Sequence, residues 1–85
     1  MDIKVLDTSH GPVYEQIRIQ IENLIASGAL AHGAELPRPA TLAKDCSVDK
    51  GEVVRAYFEL EQAGLVRSRK SRNFLGETDT TFTVV

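Results

Sequence analysis

Tyr14, Ile17, Ile21, Leu24 and Ile25 recur at three- and four-residue spacing. That is the stripe of an amphipathic helix. Glu15, Arg18, Gln20, Glu22 and Asn23 fall off the stripe. Gly11-Pro12 opens this first helix, because a proline at the first helical position gives up no donor the helix needs. Gly28 closes it, since glycine takes the left-handed conformation without a Cβ clash. Residues 29–36 form a connector closed by Pro37. A second helix is expected from Pro39 to about Cys46, with Ala40, Leu42, Ala43 and Cys46 inward. Ser47-Val48-Asp49 is the turn. The third helix starts at an Asp49 N-cap, with Glu52 three residues on, which is the spacing of a capping box. Val48 and Val53 flank that cap as a hydrophobic staple. Val53, Ala56, Tyr57 and Leu60 face inward, and Gly64 ends the helix.

After Gly64 the period changes from helical to two. Leu65-Val66-Arg67-Ser68-Arg69 alternates like an edge strand, Lys70-Ser71-Arg72-Asn73 makes a turn, and Phe74-Leu75 begins a return strand. Three shorter β signals remain. Ile3, Val5 and Leu6 make a brief N-terminal strand, and Ala34-Glu35-Leu36 a very short one in the connector. Gly76 to Thr81 is polar, and Phe82-Thr83-Val84-Val85 has β character. That last segment is expected to pair with the N-terminal strand, of its own chain or a partner's, or to fray. The reading divides the chain into an arm (1–10), a domain (11–76) and a tail (77–85). Its fold class is mainly α (α+β), three helices plus a β-hairpin. Two helices joined by a tight turn and followed by a basic hairpin make a winged helix-turn-helix, an arrangement suited to a DNA groove and the phosphates beside it.

Eighty-five residues supply one modest core, hence one domain. No window approaches the roughly 18 apolar residues of a membrane span. Met1-Asp2-Ile3-Lys4 lacks the basic start and long apolar run of a signal peptide. The single cysteine fits a reducing compartment. A cytoplasmic protein is the expectation. The net charge is -2, opposite to the usual sign for a nucleic-acid-binding domain. Its distribution changes the picture. Residues 1–37 carry two basic and five acidic side chains, residues 38–72 eight and five, and residues 73–85 none and two. The positive segment coincides with the helix-turn-helix and the hairpin.

Residues Pro12 to Leu75 resemble the DNA-binding domain of GntR-family bacterial transcription regulators. Pro12-Val13-Tyr14-Glu15-Gln16-Ile17 matches the family's opening P-[LV]-Y-x-Q-I. Ile25, Gly28, Leu30, Gly33, Leu36 and Pro37 match I-x-x-G-x-L-x-x-G-x-x-L-P, and Leu42-Ala43 the L-A that follows. The run from Val53 to Val66 matches V-x-R-A-Y-x-E-L-E-x-x-G-L-V. Arg55-Ala56-Tyr57 and Glu59-Leu60-Glu61 are most similar to the short YtrA-type branch. The resemblance covers about three quarters of the chain. It implies a winged helix, sequence-specific DNA binding as a dimer and transcriptional control in the cytoplasm. There are departures. Arg38 stands where the family has a capping serine, and Ala40 where it has a DNA-contacting arginine. Asp49-Lys50-Gly51-Glu52 opens the recognition helix in place of small polar or basic residues. Arg69-Lys70-Ser71-Arg72-Asn73-Phe74-Leu75 lacks both glycines usual in the wing. No effector-binding domain matches within the 85 residues, so the chain reads as a stand-alone regulator or as the N-terminal piece of a longer one.

The residues expected to contact DNA are Arg38, Thr41, Lys50, Gly51, Val54, Arg55, Arg67, Arg69, Lys70 and Arg72. Lys50, Gly51, Val54 and Arg55 would read the major groove. Arg55 is suited to bidentate contact with guanine, and Gly51 to close backbone approach. The bland alternative for Lys50 and Arg55 is a solvated helix face. Arg67, Arg69, Lys70 and Arg72 would neutralise phosphates, and four such contacts give a log–log salt slope of about -3.6. Their alternative is an edge strand protected by charge. Backbone amides near Pro39-Ala40-Thr41 would hold another phosphate. Arg38 would stand in for the arginine lost at Ala40. Glu52 is expected to cap rather than read a base.

Phe58 either completes the core or marks a protein contact. Tyr14 packs in the core or a dimer interface, and Cys46 is a small core residue. His10 and His32 have no second ligand at metal spacing. No nucleophile–base set or phosphate-cradling glycine loop is present, so neither enzymatic activity nor a cofactor is expected. The leading function is DNA-binding transcription regulation, with double-stranded DNA and a second copy of the chain as partners. The alternative is a winged-helix protein-interaction module, partnered through Phe58, with weak or no DNA binding.

Overall fold

A computed structural model describes residues 1–85. Three helices, α1 (Val13–Ala26), α2 (Pro39–Cys46) and α3 (Lys50–Gln62), are followed by an antiparallel hairpin of β1 (Val66–Arg72) and β2 (Thr78–Val84). This is the winged helix expected. α3 is central and packs against α1, α2 and β1. Its Val53, Ala56, Tyr57 and Leu60 are all buried, as their spacing requires. They meet Ile17 and Ile21 of α1, Leu42 and Ala43 of α2, and Val66 and Val84 of the hairpin in one core.

Both α2 and α3 end in a left-handed residue. At α3 this is Gly64 (φ 78), with Gly64 N–H donating to the Glu61 carbonyl and Leu65 N–H to Leu60. The pair of bonds is a Schellman cap. α2 ends the same way with Ser47 (φ 56) in place of glycine. Ser47 N–H donates to Lys44 and Val48 N–H to Ala43. A side chain in that conformation carries a steric cost that glycine avoids.

Four expectations are corrected. The first helix begins at Val13, and Pro12 is its N-cap rather than its first residue. The N-terminal segment is not a strand. It lies extended along α1, held by two glutamines one turn apart. Gln16 accepts from Leu6 N–H at 2.7 Å and donates to the carbonyls of Leu6, Asp7 and Gly11. Gln20 exchanges bonds with the Lys4 N–H and carbonyl. These amides satisfy an arm that has no neighbouring strand, and Ile3 is thereby drawn into the core.

The hairpin is also longer than its first strand suggests. β1 continues to Arg72, the turn is residues 73–77, and the return strand is Thr78–Val84 rather than a segment from Phe74. The segment around Phe82 therefore pairs with β1, not with the N-terminus: Ser68 faces Phe82 and Val66 faces Val84. On its other side β2 is bridged to Glu35, with Leu36 N–H donating to Phe82 and Val84 N–H to Ala34. That is the very short strand expected in the connector.

The fourth correction is the capping box. Asp49 is the N-cap of α3, but its side chain makes no capping bond. Glu52 Oε2 instead accepts Tyr14 N–H at 2.9 Å, in the first turn of α1. Glu52 caps a neighbouring helix, where the positive end of the α1 dipole favours its charge.

Tyr57, fully buried, donates from its hydroxyl to the Pro37 carbonyl at 2.7 Å. Its ring meets Phe82 edge-on, with centroids 4.9 Å apart. Burial holds its phenol well above the usual range. Tyr57→Phe strands the Pro37 carbonyl and should cost about 1–2 kcal/mol, read from urea denaturation with the m-value unchanged.

Glu61 joins α3 to the hairpin, accepting from Ser68 Oγ at 2.5 Å and from Ser68 N–H at 3.0 Å. Those two donors hold its carboxyl below the usual 4.5. A depressed folded value means that this stabilisation is complete above the unfolded value and lost as pH falls through the folded one. Wild type should therefore exceed Glu61→Ala by about 1 kcal/mol at pH 7. The gap should close below pH 4.5 in urea titrations repeated down the acid limb.

Candidate nucleic-acid interface

The left-handed Ser47 turns the chain between α2 and α3, and residues from the starts of both helices line one groove. On α3 the inward positions are taken by Val53, Ala56 and Tyr57, leaving Lys50, Gly51, Val54 and Arg55 exposed. A Cβ at Gly51 would meet nothing within 4 Å. The glycine therefore serves no packing need and leaves the backbone accessible. Thr41 is exposed in the first turn of α2. That helix has no side-chain cap at its N-terminus, and its N-cap residue is Arg38.

A groove runs between the start of α2, the start of α3 and the near face of β2. Arg38, Lys50, Val54, Thr78, Thr80 and Phe82 are among the residues that line it. An adjoining hollow at its hairpin end holds Arg38, Arg72, Asn73, Glu77 and Asp79. Arg38, Lys50, Val54 and Arg72 thus share one continuous surface. Arg38 is not free on it, because Nη2 pairs with Asp79 Oδ2 at 2.5 Å. The chain's other ion pairs belong to Arg18 and Arg55, so Lys50, Lys70 and Arg72 are unpaired.

The hairpin does not present its four cations together. Side chains alternate across a strand, and Val66 and Ser68 point to the helices, with Ser68 bonded to Glu61. Lys70 and Arg72 continue that face. Arg67 and Arg69 occupy the opposite one, where they line a separate depression with Glu35, Thr81 and Thr83. The four-cation cluster of the sequence is two pairs back to back.

Arg55 is drawn toward α1. Its guanidinium lies 3.8 Å from the Tyr14 ring centroid, and Nε is 3.5 Å from Glu59 Oε2. Cation–π stacking of this kind is worth about 0.5–1 kcal/mol at an exposed site. Tyr14 is accordingly half-buried beneath it. Glu59 also faces Arg18 Nε at 3.2 Å, and Arg18 pairs with Glu22 at 2.5 Å. The hydrogen bond to Glu22 and the charges around it raise the already high Arg18 pKa against the effect of desolvation.

Cys46 is half-buried, its thiol donating to the Ile3 carbonyl at 3.6 Å and pushed up in pKa by desolvation. Phe58 does not complete the core. It is 56% exposed, one turn beyond Val54 on α3. The groove residues that sequence reasoning missed, Thr78, Asp79, Thr80 and Phe82, all lie on β2. The signal that could have found them was the β character of 82–85, extended back through the threonines.

The comparisons with known proteins agree with the winged-helix fold. The family of bacterial regulatory proteins named gntR matches residues 13–75. An HTH-type transcriptional regulator of Mycobacterium tuberculosis is 40% identical over 58 residues, covering 68% of this chain and 48% of the relative. The HTH-type transcriptional repressor YtrA of Bacillus subtilis is 33% identical over 70 residues, covering 82% of this chain and 54% of the relative. The chain therefore spans about half the length of these two. Among solved structures, YtrA from Sulfolobus acidocaldarius, a GntR-family transcription factor, superposes with a TM-score of 0.74 at 31% identity. That match covers 87% of this chain and 69% of the other. The matched span takes in all three helices, the Ser47 turn and the first strand of the wing, and with them this chain belongs to the gntR family of bacterial regulatory proteins.

Proposed function

We propose that this chain binds double-stranded DNA as the DNA-binding part of a transcription regulator. The start of α3 enters the major groove, and the near face of the wing lies on phosphates. The observation that carries the reading is the placement of unpaired Lys50 and Arg72 on one surface with the exposed start of α3. Lys50, Gly51 and Val54 are the groove-facing set, and the uncapped first turn of α2 near Thr41 offers backbone amides to a phosphate. Arg55, held against Tyr14, acts at the edge of the contact. Arg67 and Arg69 serve the far face and contribute less than their number suggests. One domain of this size grips too little DNA for tight specificity, which favours a symmetric dimer acting in the cytoplasm.

Anisotropy titrations over a salt series test the proposal, using duplexes from the region upstream of the chain's own reading frame. Contacts by Lys50, Lys70 and Arg72 give a log–log slope of about -2.7 per chain. Lys50→Ala and Arg72→Ala should each flatten it by about one unit, and Arg67→Ala should change it less. An absence of binding at low salt overturns the reading. The exposed Phe58 supports a second reading, a protein-interaction module. That reading gains if Phe58→Ala abolishes capture of a protein partner while all ten cations remain.

Asp79 restrains the interface by occupying Arg38 and adding a negative charge beside Arg72. Asp79→Asn should strengthen non-specific DNA binding and steepen the slope toward about -3.6, measured in the same titrations.

A further inference from the structure

The tip of the wing carries the most exposed large apolar side chain of the molecule. Phe74 is 95% exposed and Leu75 beside it 68%. They are held there by an ordered turn. Gly76 N–H donates to the Asn73 carbonyl at 2.9 Å, with Gly76 at φ 82. Asn73 Oδ1 accepts from the amides of Leu75 at 2.9 Å and Glu77 at 3.0 Å, and Asn73 N–H donates to the Glu77 carbonyl. Hairpin tips are ordinarily polar. Here the polar residues hold the turn, and the two apolar side chains are carried outward.

We propose that Phe74 and Leu75 form an apolar wedge that enters the DNA minor groove and unstacks a base step. The inference rests on the DNA-binding reading above and deepens it. Charge complementarity selects the occupant. Arg72, unpaired within the chain, precedes the tip beside Arg38, and Lys70, also unpaired, shares its face of β1 by strand parity, opposite Thr80. Of the nearest acids, Asp79 is paired with Arg38, and Glu77 keeps its charge, so Lys70 and Arg72 outnumber the one uncompensated carboxylate near the tip. Reach is sufficient as well. Seven residues of strand extend about 20 Å from the core. A minor groove lies half a helical turn, about 17 Å, from the adjacent major groove. Wedges of Phe and Leu flanked by cations are a physical means of kinking DNA, most easily at flexible TA steps.

The test uses an AT-rich duplex with 2-aminopurine at a TA step, whose fluorescence rises on unstacking, with anisotropy read on the same samples. Wild type should raise the fluorescence. Phe74→Ala and Leu75→Ala should remove most of the rise and together weaken binding about tenfold. The salt slope should stay unchanged, because no cation is lost. Both side chains are exposed, and circular dichroism should match wild type. Binding by wild type without a fluorescence rise overturns the wedge alone, as does a Phe74→Ala variant that unstacks like wild type. Failure of wild type to bind any duplex overturns the DNA-binding reading beneath it. Docking of the tip on phosphatidylserine vesicles, lost in Phe74→Ala while DNA affinity holds, assigns the tip to a lipid surface and overturns the proposal.

Discussion

The buried hydroxyl of Tyr57 governs how the parts of this domain meet. A phenol in an apolar core needs an acceptor, because an unmet donor costs more than the hydrogen bond gains. The Pro37 carbonyl supplies it at 2.7 Å. Proline has no N–H to continue the ladder that Ala34 and Leu36 make with β2, so at this position the connector is held through its carbonyl. Phe82 closes on the other side of the same ring. One side chain therefore ties α3 to the connector before α2 and to the return strand of the wing. The relative placement of Lys50, Arg38 and Arg72 follows from that triple junction.

The acidic net charge is reconciled with a cationic surface by where the carboxylates are used. Glu15, Glu22 and Glu59 surround Arg18 at the seam between α1 and α3. Glu52 caps α1, and Glu61 holds Ser68 of the wing. Glu52, Glu59 and Glu61 thus join α3 to its neighbours, while Glu15 and Glu22 pair with Arg18 within α1. Surface ion pairs of this kind contribute little stability individually. Their larger effect is to sort charge. Asp79 and Glu77 are set directly on the cationic surface, and Asp79 is matched to Arg38, the residue that departs from the family's serine.

Helices were legible because burial is written in their period. The stripes at Ile17–Ile21 and Val53–Leu60 reach the core where their spacing places them. Local signals were less dependable when a long-range partner competed. Asp49 and Glu52 have capping-box spacing, yet the α1 amide of Tyr14 outbids the local one, and no count of residues within α3 could show that. Gln16 is polar on an otherwise apolar face. The spacing of the stripe gives no reason for its burial, and only the arm folded across it explains why it is buried. The return strand was misplaced because Phe74-Leu75 looks more like a strand than Thr78-Asp79-Thr80 does. Hydrogen-bond register, not hydrophobicity, decides which residues pair.

The candidate site shows the same limit in electrostatic form. All ten residues expected at the interface are exposed. What linear reading cannot weigh is parity. Four cations within six residues look like one strong patch, but a strand sends alternate side chains to opposite faces. Arg67 and Arg69 consequently lie across the sheet from Lys70 and Arg72. A field built at one surface depends on the charges that share it. The cations left unpaired on that surface therefore come from two elements, Lys50 at the start of α3 and Lys70 and Arg72 at the end of β1, while Arg38 is matched by Asp79. Tyr57, bonded to the Pro37 carbonyl and packed on Phe82, helps hold α3, the connector and the hairpin together there.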